Sequence, residues 1–567
     1  MTKREYQFFK ILFITSFFAF GLFYEYIACV FCGIAGLFYF VMAMQKKKMV
    51  FYLNPESVIL CIIVMMYLIT CIYGVDAGMS LIGFFKILTI FFFMCCVMQL
   101  TEQERDSMLM LIPISGCVMT VSGVLAYIIE PIRSFFYNFF YTAGRLGGFF
   151  QYANIFALFC LVGVILVLEQ EQEISLKKQR VVQALILCIG ILLSGSRTVF
   201  LLLAVVCITL AVRRKELRLP ITALLAVMVG GAVVYAAITG NVQNVGRFLT
   251  TSIHSSTFLG RFLYVKDGIR LLSHQPFGLG YLGYYFMEPK IQTGVYSVRY
   301  IHNDFLQMAL DIGILPCILF LWIIGRNVFG KGKDFKNRLI LAVLSLHCLV
   351  DFDLEFTSMW FLLILLLDMY QGKELNIAAG GKTAFYKILA GLASVAGIYM
   401  GIAMLPRYVG NADLTVRFLP FYTEEKTEQL FKETDSGGAE EKAKSVWKQN
   451  PYIAEAYDIL AVTAYQRGDF LQMADYKKKS LELQKYNMDA YERYVMLLSQ
   501  AVSAANKRGD MDTMKQLLEE AASVPEVLKK VEKETDPIAY QIRDIPDFEL
   551  DRKVSDYIEQ VKTLLKE

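Results

Sequence analysis

The chain has 567 residues, 56% of them hydrophobic and 19% charged, with a formal net charge of +4. A soluble globular chain carries about a quarter charged residues, so this composition excludes an ordinary soluble fold and points to a polytopic membrane protein. The small net charge gives no electrostatic footprint for a nucleic-acid partner.

A membrane span takes about 20 mostly apolar residues. Thirteen segments qualify, centred near residues 16, 35, 65, 89, 118, 159, 188, 205, 230, 313, 346, 364 and 394. The first follows MTKREYQFFK without a small-residue cleavage site and reads as an anchor. The seventh and eighth meet at SGSR (194–197) with almost no loop. All 12 cysteines lie between Cys29 and Cys348, inside or beside apolar runs, which fits neither a disulfide framework nor a polar zinc setting. Half of the charged residues follow Leu405, so two bodies are expected: 1–405 in the membrane and a polar helical domain at 406–567.

Basic clusters orient such a chain, because cytoplasmic loops retain them. Lys3, Arg4 and Lys10 precede the first span, and Lys46, Lys47 and Lys48 follow the second. Lys177, Lys178 and Arg180 follow the sixth, and Arg213, Arg214, Lys215 and Arg218 the eighth. Arg326, Lys331, Lys333, Lys336 and Arg338 follow the tenth, and Lys373 and Lys382 the twelfth. With thirteen spans every cluster falls on one side, which puts the N-terminus in the cytoplasm and the tail outside the cell membrane. The outer loops keep Arg133, Arg145, Arg197, Arg247, Arg261, Arg270 and Arg299 against only Lys266 and Lys290. Arginine's planar fork of donors suits phosphate oxygens, so an anion site is expected at the outer face.

Residues 240–301 form the one long outer loop, and loops of that length are functional or disordered. All four histidines, His254, His274, His302 and His347, lie in or after it. His302 opens HNDFLQMALDIGILP, where Asn303 or Asp304 suits a helix N-cap that would fix the ring near the membrane boundary. Histidine there suits general acid–base work. His274 reads as closing a turn, His254 as solvated, and His347 as a hydrogen-bonded interior residue. Asp351, Asp353 and Glu355 in VDFDLEF either orient a sugar or His302, or are solvated carboxylates at a helix end.

In order, GRLGGFFQYANIFA (144–157), SGSRTVFLLLAV (194–205), GRFLYVKDGIRLLSHQPFGLGYLGYYF (260–286) and HNDFLQMALDIGILP (302–316) resemble segments of the O-antigen ligase and polysaccharide polymerase superfamily. Gln275, between His274 and Pro276, departs from that pattern. The resemblance implies a glycosyltransferase that takes a glycan from an undecaprenyl-diphosphate carrier at the outer face and passes it, with inversion and without a metal or other cofactor, to a glycan, lipid or protein acceptor. It implies catalytic roles for His302, Arg261 and Arg197, and substrate contacts from Arg145, Asn154, Arg270 and Asn303.

In the tail, EAY at 455–457 recurs as DAY at 489–491, the 34-residue tetratricopeptide period. The tail thus resembles one or two such repeats, either a partner-binding surface or a cap over the active face. The expected fold is all-α, a bundle of about 12–13 spans followed by this TPR-like domain. Two other classes, a flippase and an assembly factor acting through the tail, are less economical. The spans are nearly free of charge, Lys86 and Asp368 aside, and the unusual residues gather at the outer face.

Overall fold

The computed structural model describes residues 1–170, 177–239, 256–330, 332, 334–377, 383–433 and 435–566. Arg247, His254, Lys331, Lys333 and Lys382 lie outside them. Capping residues start the first helices. Thr2 and Glu5 form a capping box on α1 (Lys3–Phe18), and Asn54 with Pro55 at the first position starts α3 (Pro55–Tyr73) after α2 (Glu25–Gln45). Asp76 caps α4 (Ala77–Val97). There follow α5 (Glu102–Leu109), α6 (Leu111–Ile128), α7 (Glu130–Phe140), α8 (Ala153–Glu169), α9 (Lys177–Ser194), α10 (Arg197–Arg213) and α11 (Arg218–Thr239).

Next come α12 (Ser256–His274), α13 (Gly283–Ile291), α14 (Asp304–Ile312), α15 (Ile314–Phe329), α16 (Phe335–Cys348), α17 (Thr357–Leu366) and α18 (Thr383–Ala403). The protein is an all-α polytopic membrane bundle. Among the described residues, five stretches are long and apolar enough to cross a membrane: Glu25–Gln45, Pro55–Tyr73, Ala77–Val97, Glu102–Ile128 and Tyr386–Val409. Shorter apolar helices join them, at Ala153–Glu169, Gln179–Ser194, Ile314–Phe329 and Thr357–Leu366.

Two expected spans take a different form. The segment near residue 364 is the ten-residue α17, about 15 Å long, half of what a crossing needs. All ten of its residues are buried, so protein rather than lipid accounts for its unbroken apolarity. The segment near residue 313 is broken at Gly313, whose φ of 97° ends α14 and starts α15. The outer loop fills the break: Leu279 N–H donates to Leu310 O, Gly280 N–H to Asp311 O and Ile314 N–H to Pro276 O. A Cβ at Gly313 would lie 2.9 Å from Phe277 O, so only glycine admits that close approach.

Small residues let α18 lie directly against α2. A Cβ on Gly397 would sit 2.9 Å from Cys29 O, and one on Gly401 2.6 Å from Tyr26 O. Gly397-Ile-Tyr-Met-Gly401 thus works as a small-xxx-small face. Beside this pair, β1 (Val50–Leu53) pairs antiparallel with β4 (Lys373–Asn376), joining the loop after α2 to the loop before α18.

The connections fall into two groups at opposite ends of the bundle. At one end Tyr6 Oη donates to Glu104 O, Val50 N–H to Gln99 Oε1, and Lys336 meets Asp106 at 3.4 Å. The other end carries 141–154, 194–197, 256–303, 349–356 and the tail. A buried ion pair stands beneath that end, Lys86 Nζ to Glu355 Oε2 at 2.9 Å, with the ammonium about equally close to the rings of Phe23, Tyr281 and Tyr300.

The tail comprises α19 (Ala412–Phe418), α20 (Thr423–Lys432), α21 (Ser436–Gln449), α22 (Ala454–Arg467), α23 (Phe470–Glu482), α24 (Met488–Arg508), α25 (Met511–Glu534) and α26 (Arg552–Leu564). EAY and DAY open α22 and α24, and left-handed Gly468 and Gly509 turn each helix into the next. The tail is fastened to the membrane body by buried Asp76, which accepts from Asn450 Nδ2 at 3.1 Å and from the Thr423 hydroxyl. Further ties are Arg299 to Glu424, Lys266 to Asp536, and a small core of Leu263, Tyr296, Ala539 and Ile542.

Candidate active site

Asp351 lies in the turn between α16 and α17, 1% exposed, and gathers side chains from three separate stretches. Tyr152 Oη donates to its Oδ1 at 2.9 Å and Asn154 Nδ2 to its Oδ2 at 2.6 Å. His302 Nδ1 lies 3.2 Å from Oδ1, and Arg261 Nη2 lies 3.6 Å from Oδ2. Burial alone would raise this carboxyl's pKa. The His302 hydrogen bond and the Arg261 charge outweigh burial and hold it well below the usual carboxylate range.

Each partner is placed by a local feature of the sequence. Arg145 follows Ala143 and Gly144, both at positive φ, in a two-residue turn between β2 (Tyr141–Thr142) and β3 (Arg145–Leu146). Its guanidinium donates to Asn154 Oδ1 at 2.6 Å and to Ser194 O at 2.8 Å, tying the hairpin to the SGSR turn. Arg197 opens α10 just past that turn, half-buried, with no polar side-chain partner among the described residues. Asn303 caps α14 by accepting from Leu306 N–H, and its Nδ2 donates to Leu349 O at 3.0 Å, fixing His302 against the Asp351 turn.

Arg261 stands on α12, where Nη1 donates to Val350 O at 2.7 Å and Nε is buried without a partner among the described residues. Arg270, nine residues on, falls about 180° around the helix and about 13.5 Å along it, and it is exposed. The structure does not bring it to Asp351.

With Nδ1 turned to a carboxylate, the neutral His302 ring carries its proton there and leaves Nε2 as a lone-pair acceptor. The imidazole is partly open, with 20% of the side chain exposed, and sits 5.1 Å from the Phe352 ring and 6.3 Å from the Tyr264 ring. His347 is fully buried, its Nδ1 2.7 Å from Asp353 Oδ2, the interior histidine expected. His274 ends α12, exposed, with Nδ1 2.8 Å from Arg270 O.

The three carboxylates of VDFDLEF are all buried, which removes the solvated reading. Asp351 takes His302, Asp353 takes His347 and Glu355 takes Lys86. Tyr152 and Phe352 were absent from the expected site, and Asp351 was expected only as one of the three acids of VDFDLEF that could orient a sugar or His302. Asp304, Cys348 and Asp353 cluster closely enough to hold a cation. Asp304, however, already accepts from Asp353 N–H and Leu354 N–H, and Asp353 from His347, so protein bonds account for the cluster.

Residues 182–321 match the family model described as O-Antigen ligase. This stretch is an O-antigen ligase domain. Within it lie Arg197, Arg261, Arg270, His302 and Asn303. Arg145, Tyr152, Asn154 and Asp351 lie outside it, so the O-antigen ligase domain meets its carboxylate and amide partners only through the fold. No curated protein matches the chain. The O-antigen ligase match makes membrane glycan ligation or polymerisation the general activity.

Proposed function

We propose that the chain transfers or polymerises glycans from an undecaprenyl-diphosphate-linked donor at the outer membrane face, as an inverting glycosyltransferase that needs no metal. The observation that carries this reading is one carboxylate, Asp351, holding a histidine with a free Nε2 beside an arginine with an unused N–H. His302 Nε2 takes the proton of the acceptor hydroxyl as its oxygen attacks the anomeric carbon. The bond from that carbon to the diphosphate breaks on the opposite side, and the carrier diphosphate leaves with the electron pair. Charge growing on the leaving group is met by Arg261, Arg197 and Arg145, fixed cations at a partly dry interface.

Orientation follows from charge. Lys46, Lys48, Arg213, Arg214 and Lys336 stand at the end of the bundle opposite Asp351, and the positive-inside bias assigns that end to the cytoplasm. The tail, with its 34-residue helical hairpins, then lies outside and supports a TPR-like partner surface. The broken helix at Gly313, a feature transporters share, is filled by loop backbone and does not favour transport.

The test is transfer by purified protein in lipid from a diphosphate-linked donor in chelator-treated buffer. His302→Ala is expected to lose about 10²- to 10⁴-fold in rate, with Arg261→Ala also impaired while both stay folded. Full activity in His302→Ala would refute the mechanism, and the length of the product separates polymerase from ligase.

A further inference from the structure

Between α13 and the first helices of the tail lies a half-open cavity of about 620 Å³, within the size range of ligand pockets. Tyr285, Tyr452 and Phe431 give it aromatic walls. Five glutamates face it against Arg407 and Lys432. Arg407 holds Glu424 and Glu425, the latter at 3.1 Å, and Arg299 also reaches Glu424. Glu288, Glu428 and Glu455 remain without a cationic partner among the described residues.

We infer that this cavity is a second glycan subsite, taking a short oligosaccharide segment that carries no negative charge. The inference rests on the proposed transfer activity for its role and on the cavity's chemistry for its ligand. Aromatic faces match the apolar C–H face of a pyranose ring, while carboxyl oxygens accept from sugar hydroxyls or an ammonium and repel an anion. Burial pushes the Glu288 carboxyl up to about 8, so at neutral pH it also offers an O–H to a ring or hydroxyl oxygen. Ser297, on the cavity wall, is five residues from His302. Chain reach therefore keeps the two within roughly 18 Å, the separation of sugars several units apart on one polymer.

The full-length protein in lipid nanodiscs is titrated with a neutral glucose tetrasaccharide and with a galacturonate tetrasaccharide, read by saturation-transfer NMR. The neutral probe is expected to bind about tenfold or more tighter than the uronate. Phe431→Ala, at an exposed position, should weaken the neutral probe roughly three- to tenfold, and Glu428→Lys should move the preference toward the uronate. Equal binding of the two probes, no binding of the neutral one, or binding indifferent to both substitutions overturns the inference. His302→Ala keeps the neutral probe bound, so a failure of the catalytic reading registers in the transfer assay alone.

Discussion

At the scale of single residues, Asp351 makes His302 directional. Without it, either ring nitrogen could carry the proton and the imidazole could rotate. Its depressed pKa means that the carboxylate's contribution to stability is present above about pH 4 and is lost only as pH falls through the lower folded value. Thermal melts of the parent and Asp351→Asn should therefore differ by a constant amount between pH 5 and 8 and converge only in stronger acid. A gap that closes near neutrality would contradict the assignment. Transfer by Asp351→Asn should fall at least about tenfold.

The arginines and His302 were legible because motif order carries them, and Asn303 because cap chemistry is local. Asp351 was not separable from Asp353 and Glu355, since three acids in one apolar setting look alike until burial assigns each a partner. Arg270 was grouped with Arg261 for want of a helix: on α12, nine residues turn a side chain to the opposite face.

Among the elements, the Lys86–Glu355 pair acts as a strut under the Asp351 turn. Removing one partner leaves a buried charge alone, which costs about 3–5 kcal/mol. Lys86→Met should lower the unfolding midpoint in detergent by that equivalent, and Lys86→Met with Glu355→Leu should recover most of it. A double variant no better than the single would assign the loss to packing instead. The sequence marked Lys86 as an intrusion but offered no partner, because 269 residues separate it from Glu355.

Glu288 governs α13 in a different way. Its folded pKa is raised, burial being the cause, so its stabilising contribution is complete below about pH 4.3 and is lost as pH rises through about 8. Melting temperature of the parent should therefore fall across that window relative to Glu288→Gln, and parallel curves would reject the shift. The break at Gly313 and the shortness of α17 escaped the sequence for a shared reason: a run of apolar residues records burial without saying whether lipid or protein does the burying.

For the whole molecule, the two-ended sorting of loops makes sidedness testable. All 12 native cysteines are buried or half-buried, so a new exposed thiol dominates labelling by a membrane-impermeant maleimide. Met511→Cys in the tail should label in intact cells and Lys215→Cys only after permeabilisation. The reverse pattern would invert the proposed orientation. The contrast between an apolar stretch and a polar tail was visible in charge density, whereas the contact of the tail with Asp76 was hidden. A lone aspartate before an apolar helix reads as a cap, and its second role needs Thr423 and Asn450, some 350 residues away.

The close seam between α2 and α18 also bears on the time at which the molecule becomes whole. Roughly 340 residues separate the end of α2 from the start of its partner, which at ordinary synthesis rates is on the order of 20 to 70 s. Throughout that interval the face around Gly33 lacks the helix that covers it in the finished bundle. Among the described membrane helices α18 emerges after the others, and it packs beside α2 with the tail behind it. A ribosome that stops short of α18 therefore releases an assembly without that seam.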